Sequence, residues 1–401
     1  EIAKGELGYT EEARGRTKYG EWKGDPYAQW CAEYLCWCVD QVDKTHGTQL
    51  LKVKYPLYSG QNTGMRWFIR EGRWISRNGN LDEWGYQWFK GENKDFSFSD
   101  AYAPADFGAL RGCEARVWAF FRTVAEGMDK YEDYAMGYNP HNPMPLWVKP
   151  TAKISPKQVF DAMRDHYEGT KMDMTTDIGA GGHGLPYRWR PMNFEVDGKT
   201  YVNERAIATQ QTAFWLCGQA RKDKVGILWF GMDDAATSCL TPIYCNTTEV
   251  PATMAEGNGS MLDYSDSSAF WIFNRVTNFA YVRYDLMSKD IRKVVDHWEN
   301  TMLKEVETID AKLAGLSEKA LKKQTTEYSL VTAQKLFDAW TRLDKYLLLK
   351  YIDGNVKGED ENGFMDNGNG KDIPGKIDQP GYTEKWKRAV AADHGKILEV
   401  K

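Results

Sequence analysis

At 401 residues the chain has room for two or three domains of ordinary size, and a single small domain is excluded. Its 52 Lys and Arg against 57 Asp and Glu leave a formal charge of −5, which argues against a strongly basic nucleic-acid surface, and 42% hydrophobic residues argue against disorder. A chain of this length buries enough surface to hold without staples, so the seven Cys are expected as free thiols, mostly buried, rather than as a disulfide scaffold.

No run approaches the roughly 18–20 uncharged apolar residues of a bilayer-crossing helix, so no membrane insertion is expected. The start, Glu-Ile-Ala-Lys-Gly-Glu, lacks both Met and a basic-then-apolar leader and reads as a trimmed or partial product; the compartment stays open between cytoplasmic and secreted. Residues 28–42 repeat Trp30, Cys31, Tyr34, Leu35 and Cys38 at steps of three and four, which predicts a half-buried helix. Helix is also predicted over 107–134 and, behind a Ser155-Pro156 cap, over 157–167. Short β-rich runs at 194–196, 206–215, 226–230 and 240–244 predict a sheet. Residues 270–313 and 317–351 read as two long amphipathic helices packed on it, the second ended by Gly354, and 355–381 as a polar surface loop or tail.

Several constellations have ordinary readings. Gly179-Ala-Gly181-Gly-His-Gly184 fits a phosphate-loop spacing, but no strand precedes it and Pro186 and Pro191 forbid a helix behind it, so a tight turn is expected. The acidic run from Glu359 to Asn369 has no register for a calcium loop. Cys36-Trp37-Cys38 lacks a second ligand pair and reads as helix thiols. Asp165-His166 reads as an exposed pair on the capped helix, and Asp233-Asp234 at a strand end as either a site or a turn. Cys31 stands apart, because it opens a helix whose free N–H groups and dipole favour thiolate, the species an attacking sulfur needs.

Two resemblances follow from longer blocks. Lys18-Tyr19-Gly20-Glu21-Trp22 and Trp30-Cys31-Ala32-Glu33-Tyr34, with Trp67-Phe68 and Gly72-Arg73-Trp74, resemble the start of the CHAP amidase/endopeptidase family, whose nucleophile is the Cys of a W-C-A motif. That likeness implies Cys31 as nucleophile and stops near Gly79, before the family's base, a later His. From about Lys94 onward the chain resembles the C69 dipeptidases, N-terminal-nucleophile hydrolases. The matching blocks include Met163-Arg-Asp-His-Tyr-Glu-Gly-Thr170, Pro186-Tyr-Arg-Trp-Arg-Pro191, Asn203-Glu-Arg-Ala-Ile-Ala-Thr-Gln-Gln-Thr212 and Leu228-Trp-Phe-Gly-Met-Asp-Asp234.

The second resemblance implies an α+β body with a partial αββα Ntn-hydrolase arrangement over 86–401, behind a CHAP-like segment over 1–85. It further implies cysteine-type cleavage of dipeptides without a cofactor. Members of that family begin, once processed, with a Cys whose own α-amine is the base, whereas this sequence begins with Glu1, so neither family's catalytic set is complete in it. Arg205, on a predicted strand, is the residue expected to keep a nucleophile's surroundings electropositive; the alternative is an ion pair with Glu204 or another carboxylate. Expected partners are a small peptide and, because strands of the full fold would be missing, a second copy or a complementing chain. A non-catalytic module binding cell-wall peptide through its many aromatics, an inactive remnant, and a CHAP-type peptidoglycan amidase are the competing readings.

Overall fold

The computed structural model describes residues 105–145 and 147–401 and, nearer the N-terminus, residues 6, 9, 12, 16–24, 26 and 31–47. The chain divides into two compact units, Glu1–Ala105 and Asp106–Lys401.

In the first unit Thr17 caps α1 (Lys18–Lys23) by accepting from the Gly20 amide at 3.0 Å, and Gly24 ends it in the left-handed region. α2 (Cys31–His46) runs past Val42, and the expected start at residue 28 lies outside the described residues. Its apolar stripe meets the buried Tyr19, whose ring packs edge-on against Tyr34 and Trp37 with centroids 5.1 and 5.4 Å away. Most of the CHAP-like blocks, Trp67 to Gly79 included, lie outside the described residues.

In the second unit the helix expected over 107–134 is broken into pieces. A single turn, Phe107–Ala109, passes through a π-turn, Leu110–Glu114, into α3 (Ala115–Val124), and Gly127 at φ +73° then starts a 3-10 turn, Met128–Tyr131. Trp118 fixes that corner by donating from Nε1 to the Met128 carbonyl at 2.9 Å. Ser155 and Gln158 form a reciprocal capping box on α4 (Pro156–Ala162). That helix stops short of the expected residue 167 because the Asp165 carboxylate takes the Tyr167 amide at 2.9 Å and Tyr167 itself turns to φ +66°.

β1 (Asn193–Val196) and β2 (Lys199–Val202) form a separate exposed hairpin across Asp197-Gly198, both at positive φ, as a two-residue Asp-Gly turn demands. The central sheet is antiparallel, in the order β3 (Phe214–Gln219), β4 (Ile227–Met232), β5 (Thr241–Tyr244). The strand expected over 206–215 therefore begins only at Phe214, and 203–213 is irregular chain. The single helix expected over 270–313 is two, α5 (Ala269–Ala280) and α6 (Tyr284–Leu313), separated by a 3-10 turn ending at Arg283 with non-helical φ −152°. α7 (Glu318–Tyr351) is capped by Ser317 and followed by a turn closed by Gly354 at φ +74°.

α5, α6 and α7 cover one face of the sheet and build the main core with Trp215, Ile227, Trp229 and Tyr244. Phe273 of α5 stacks on Trp340 of α7 with centroids 4.6 Å apart. A second cluster joins α3 to Tyr167, Met172, Met174 and Ala206. Residues 355–381 carry two small ladders, β6 (Val356–Lys357) with β9 (Ile377–Asp378) and β7 (Glu359–Asp360) with β8 (Gly363–Phe364), before an exposed helix α8 (Glu384–Leu398). No helix among the described residues is long and apolar enough to cross a membrane.

Among the described residues no helix covers the sheet's other face. Phe214 and Leu216 on the edge strand β3 are 56% and 48% exposed, and Phe214 stacks on Phe230 of β4 with centroids 5.6 Å apart. An apolar edge strand of this kind invites pairing with another chain. A Phe214→Thr/Leu216→Thr double variant is expected to scatter less light than wild type at equal concentration, with an unchanged melting midpoint, since exposed positions tolerate such changes within about 0.5 kcal/mol. A wild-type chain that is monodisperse and melts cooperatively as a monomer would count against this surface as a source of association.

Candidate functional site

Segments carrying His166, Tyr187 and Asn274 meet at the C-terminal end of β4. There Asp233 adopts φ +65°, a conformation Asp tolerates, and both Asp233 and Asp234 point inward and are buried. Asn274 Nδ2 donates to Asp233 Oδ1 at 2.8 Å and the Thr277 hydroxyl donates to Oδ2, so this carboxyl ties the strand end to α5. Burial pushes its pKa up to about 6, against the pull of those two hydrogen bonds. Asp234 accepts from the Tyr187 hydroxyl and from the Ala236 amide at 3.2 Å; burial raises its pKa too, opposed by the neighbouring His166 and the Tyr187 bond. Tyr187, pushed well up by burial and then by Asp234, lies edge-on to His166, Tyr281 and Tyr284.

His166 corrects an expectation. It sits beyond the end of α4, not on it, and is only 2% exposed. Its Nδ1 faces Glu168 Oε1 at 3.1 Å, while its buried Nε2 has no hydrogen-bond partner among the described residues. The tertiary reason is that the turn after Met163 swings the ring under Tyr187 instead of continuing the helix outward.

Above this cluster a narrow cleft opens between segments 186–192 and 204–211, lined by Arg190, Arg205, Glu204 and Gln210 among others. Arg205 belongs to irregular chain rather than to the strand expected for it. The backbone there is rigid, because the Tyr167 hydroxyl donates to the Arg205 carbonyl at 2.6 Å and Ala206 is packed in the second cluster. Glu204 does not pair with Arg205; it accepts from the mostly buried Arg111. The Arg205 guanidinium is exposed, makes no ion pair among the described residues, and has its pKa lowered first by partial burial and then by the charges of Arg116 and Arg190. Arg188, two residues from Arg190, is buried and spent on Asp177 and the Met174 carbonyl.

Cys31 is the first residue of α2, and its side chain lies outside the described residues, as does that of Cys36. Cys38, Cys113, Cys217, Cys239 and Cys245 are free thiols. Cys113 and Cys245 are exposed, against the expectation of mostly buried thiols, because the π-turn and the end of β5 leave them facing out. Gly179 to Gly184 is a turn, with Asp177 accepting from the Ala180 amide at 3.0 Å. An acidic trio, Asp161, Asp296 and Glu299, has the compactness of a cation site but is filled by Lys157, Arg164 and Arg292. Arg116, Arg190 and Tyr187 were not singled out from the sequence. Alternation around Trp189 between two prolines was the available signal, since it places Arg188 and Arg190 on the same side only if the segment is extended. In the fold the two part company, one buried and one exposed.

Residues 80–297 match the model of peptidase family C69, more than half of the chain, and the protein belongs to that family. The blocks containing Arg164, His166, Tyr187, Arg205 and Asp233 all fall inside the match. Residues 1–79 lie outside it, and the CHAP resemblance of that segment gains no support. No curated protein matches the sequence.

Proposed function

We propose that this protein hydrolyses the peptide bond of short peptides, dipeptides foremost, as a cysteine-type enzyme that uses no cofactor. The observation that carries the reading is membership of peptidase family C69 through the blocks that build the cleft. A three-stranded sheet with helices on one face supports the body as one half of a four-layer αββα arrangement, with residues 86–401 as the working domain. Cys31 is the proposed nucleophile, on the strength of its place after Trp30 in the sequence and of a helix that includes it. Attack on the carbonyl carbon would form a thioester as the C–N bond breaks and the amine leaves with a proton, and water would then release the acid. Arg205 is proposed to keep the peptide-binding side electropositive, supported by its lack of a carboxylate partner among the described residues.

Turnover of a dipeptide panel, followed by amine release with and without iodoacetamide, tests this. Hydrolysis is expected to be blocked by the thiol reagent, with Cys31 labelled first, and abolished in Cys31→Ala. Equal activity in that variant removes Cys31 as nucleophile. Peptide binding with no turnover in the wild type makes the protein a binding module.

A further inference from the structure

We propose that the exposed guanidinium groups of Arg190 and Arg205, at the mouth of the narrow cleft between segments 186–192 and 204–211, grip the free α-carboxylate of a short peptide. This rests on the peptidase reading and names the end of the substrate that the family body recognises. Both arginines line the cleft, both are exposed, and neither forms an ion pair among the described residues. The nearby acids are already engaged: Glu204 is held by Arg111 and Asp177 by Arg188. Arg116 adds a third positive charge, with the Gly112 carbonyl at 3.0 Å and the Cys113 sulfur at 3.8 Å as its hydrogen-bond acceptors.

Positive groups gathered without counter-charge repel one another, and an arriving anion relieves that repulsion. The depressed Arg205 pKa has the same origin, after burial. A guanidinium offers a planar fork of donors that matches the two oxygens of a carboxylate. The frame behind the fork is fixed before ligand arrives: Tyr167 holds the Arg205 carbonyl at 2.6 Å, and Gln210 Nε2 donates to the Arg188 carbonyl at 2.7 Å, joining the two segments. Preorganised donors of this kind lose little entropy on binding.

The test is calorimetric titration of the full chain with an Ala-Phe dipeptide whose amide is reduced to CH2–NH, so that it cannot be cleaved, and with the C-terminal amide of the same compound. The acid is expected to bind at least ~10-fold more tightly than the amide, the size of effect a charge-assisted pair supplies. In Arg190→Gln/Arg205→Gln the two should bind within ~2-fold of each other, while Arg190→Lys/Arg205→Lys keeps part of the preference. Equal binding of acid and amide to the wild type overturns the assignment, as does a preference that survives in the glutamine variant. Displacement of the dipeptide by equimolar inorganic phosphate also overturns it, since that marks a general anion site. Intact acid preference without turnover would remove hydrolysis and leave this site standing; turnover with equal binding would do the reverse.

Discussion

Replacing Glu299 with alanine is expected to destabilise the second unit by about 3–5 kcal/mol, the cost of stranding a buried cation. Glu299 on α6 has no exposed surface, and Arg164 reaches it with two guanidinium nitrogens, at 2.5 and 3.3 Å. The same guanidinium donates to the Ala235 carbonyl at 2.8 Å and the Ser238 carbonyl at 3.1 Å, and lies 5.0 Å from the centre of the Trp215 ring. Arg164 therefore pins three parts of the candidate site together: the block carrying His166, the turn after Asp234 and the helix layer. Without Glu299 the carbonyl bonds remain but the charge loses its principal counter-ion. Asp161, at 3.3 Å and already shared with Lys157 and Arg292, is a poor substitute. Urea denaturation of wild type and Glu299→Ala, followed by tryptophan fluorescence, measures the effect as a lowered midpoint at unchanged slope. A loss under about 1 kcal/mol would show that Asp161 takes over as the counter-ion of Arg164.

The second large effect is a pH dependence centred on Asp233. Its folded pKa of about 6 lies above the ordinary value of 3.8, with burial as the main cause. Between those two values the folded protein holds a proton that the unfolded chain has released, so stability contributed by this group falls as pH rises through the window. Below 3.8 the contribution is fully present, and above about 6 it has been lost, a change of about 3 kcal/mol. Other carboxyls act in the opposite sense. Burial pushes Asp161 and Asp296 upward, but Lys157 and Arg292 more than offset it and hold both below their ordinary range. The clean observable is therefore the difference between Asp233→Asn and wild type, which cancels those contributions. The asparagine variant is expected to gain about 2 kcal/mol relative to wild type on going from about pH 4 to about pH 7. A difference independent of pH would place the Asp233 carboxyl in contact with solvent.

Local signals in the sequence carried well where the physics is local. Ser155 with Pro156, and Gly354, were legible because a cap or a left-handed turn is decided within four residues. The long stripe of α7 was legible because burial repeats every turn. The Asp197-Gly198 turn was a missed signal of the same kind, and it would have disclosed β2. The break between α5 and α6 had no such mark, since apolar spacing continues through Tyr281 to Arg283 while the backbone leaves the helix.

By itself, then, the sequence determined the α+β class, the Ser155 cap, the family blocks and the choice of Arg205 as a residue of interest. What only the tertiary structure decided is the state of each charge. Glu204 is adjacent to Arg205 in the chain but bonds Arg111, 93 positions away, and Arg164 finds its counter-ion 135 positions away. His166, read as exposed, is buried by the same kind of distant contact, with Tyr187. The reason is physical: periodicity and capping are settled by neighbours along the backbone, whereas pairing, desolvation and the freedom of a guanidinium to meet a substrate depend on which distant segments folding brings alongside.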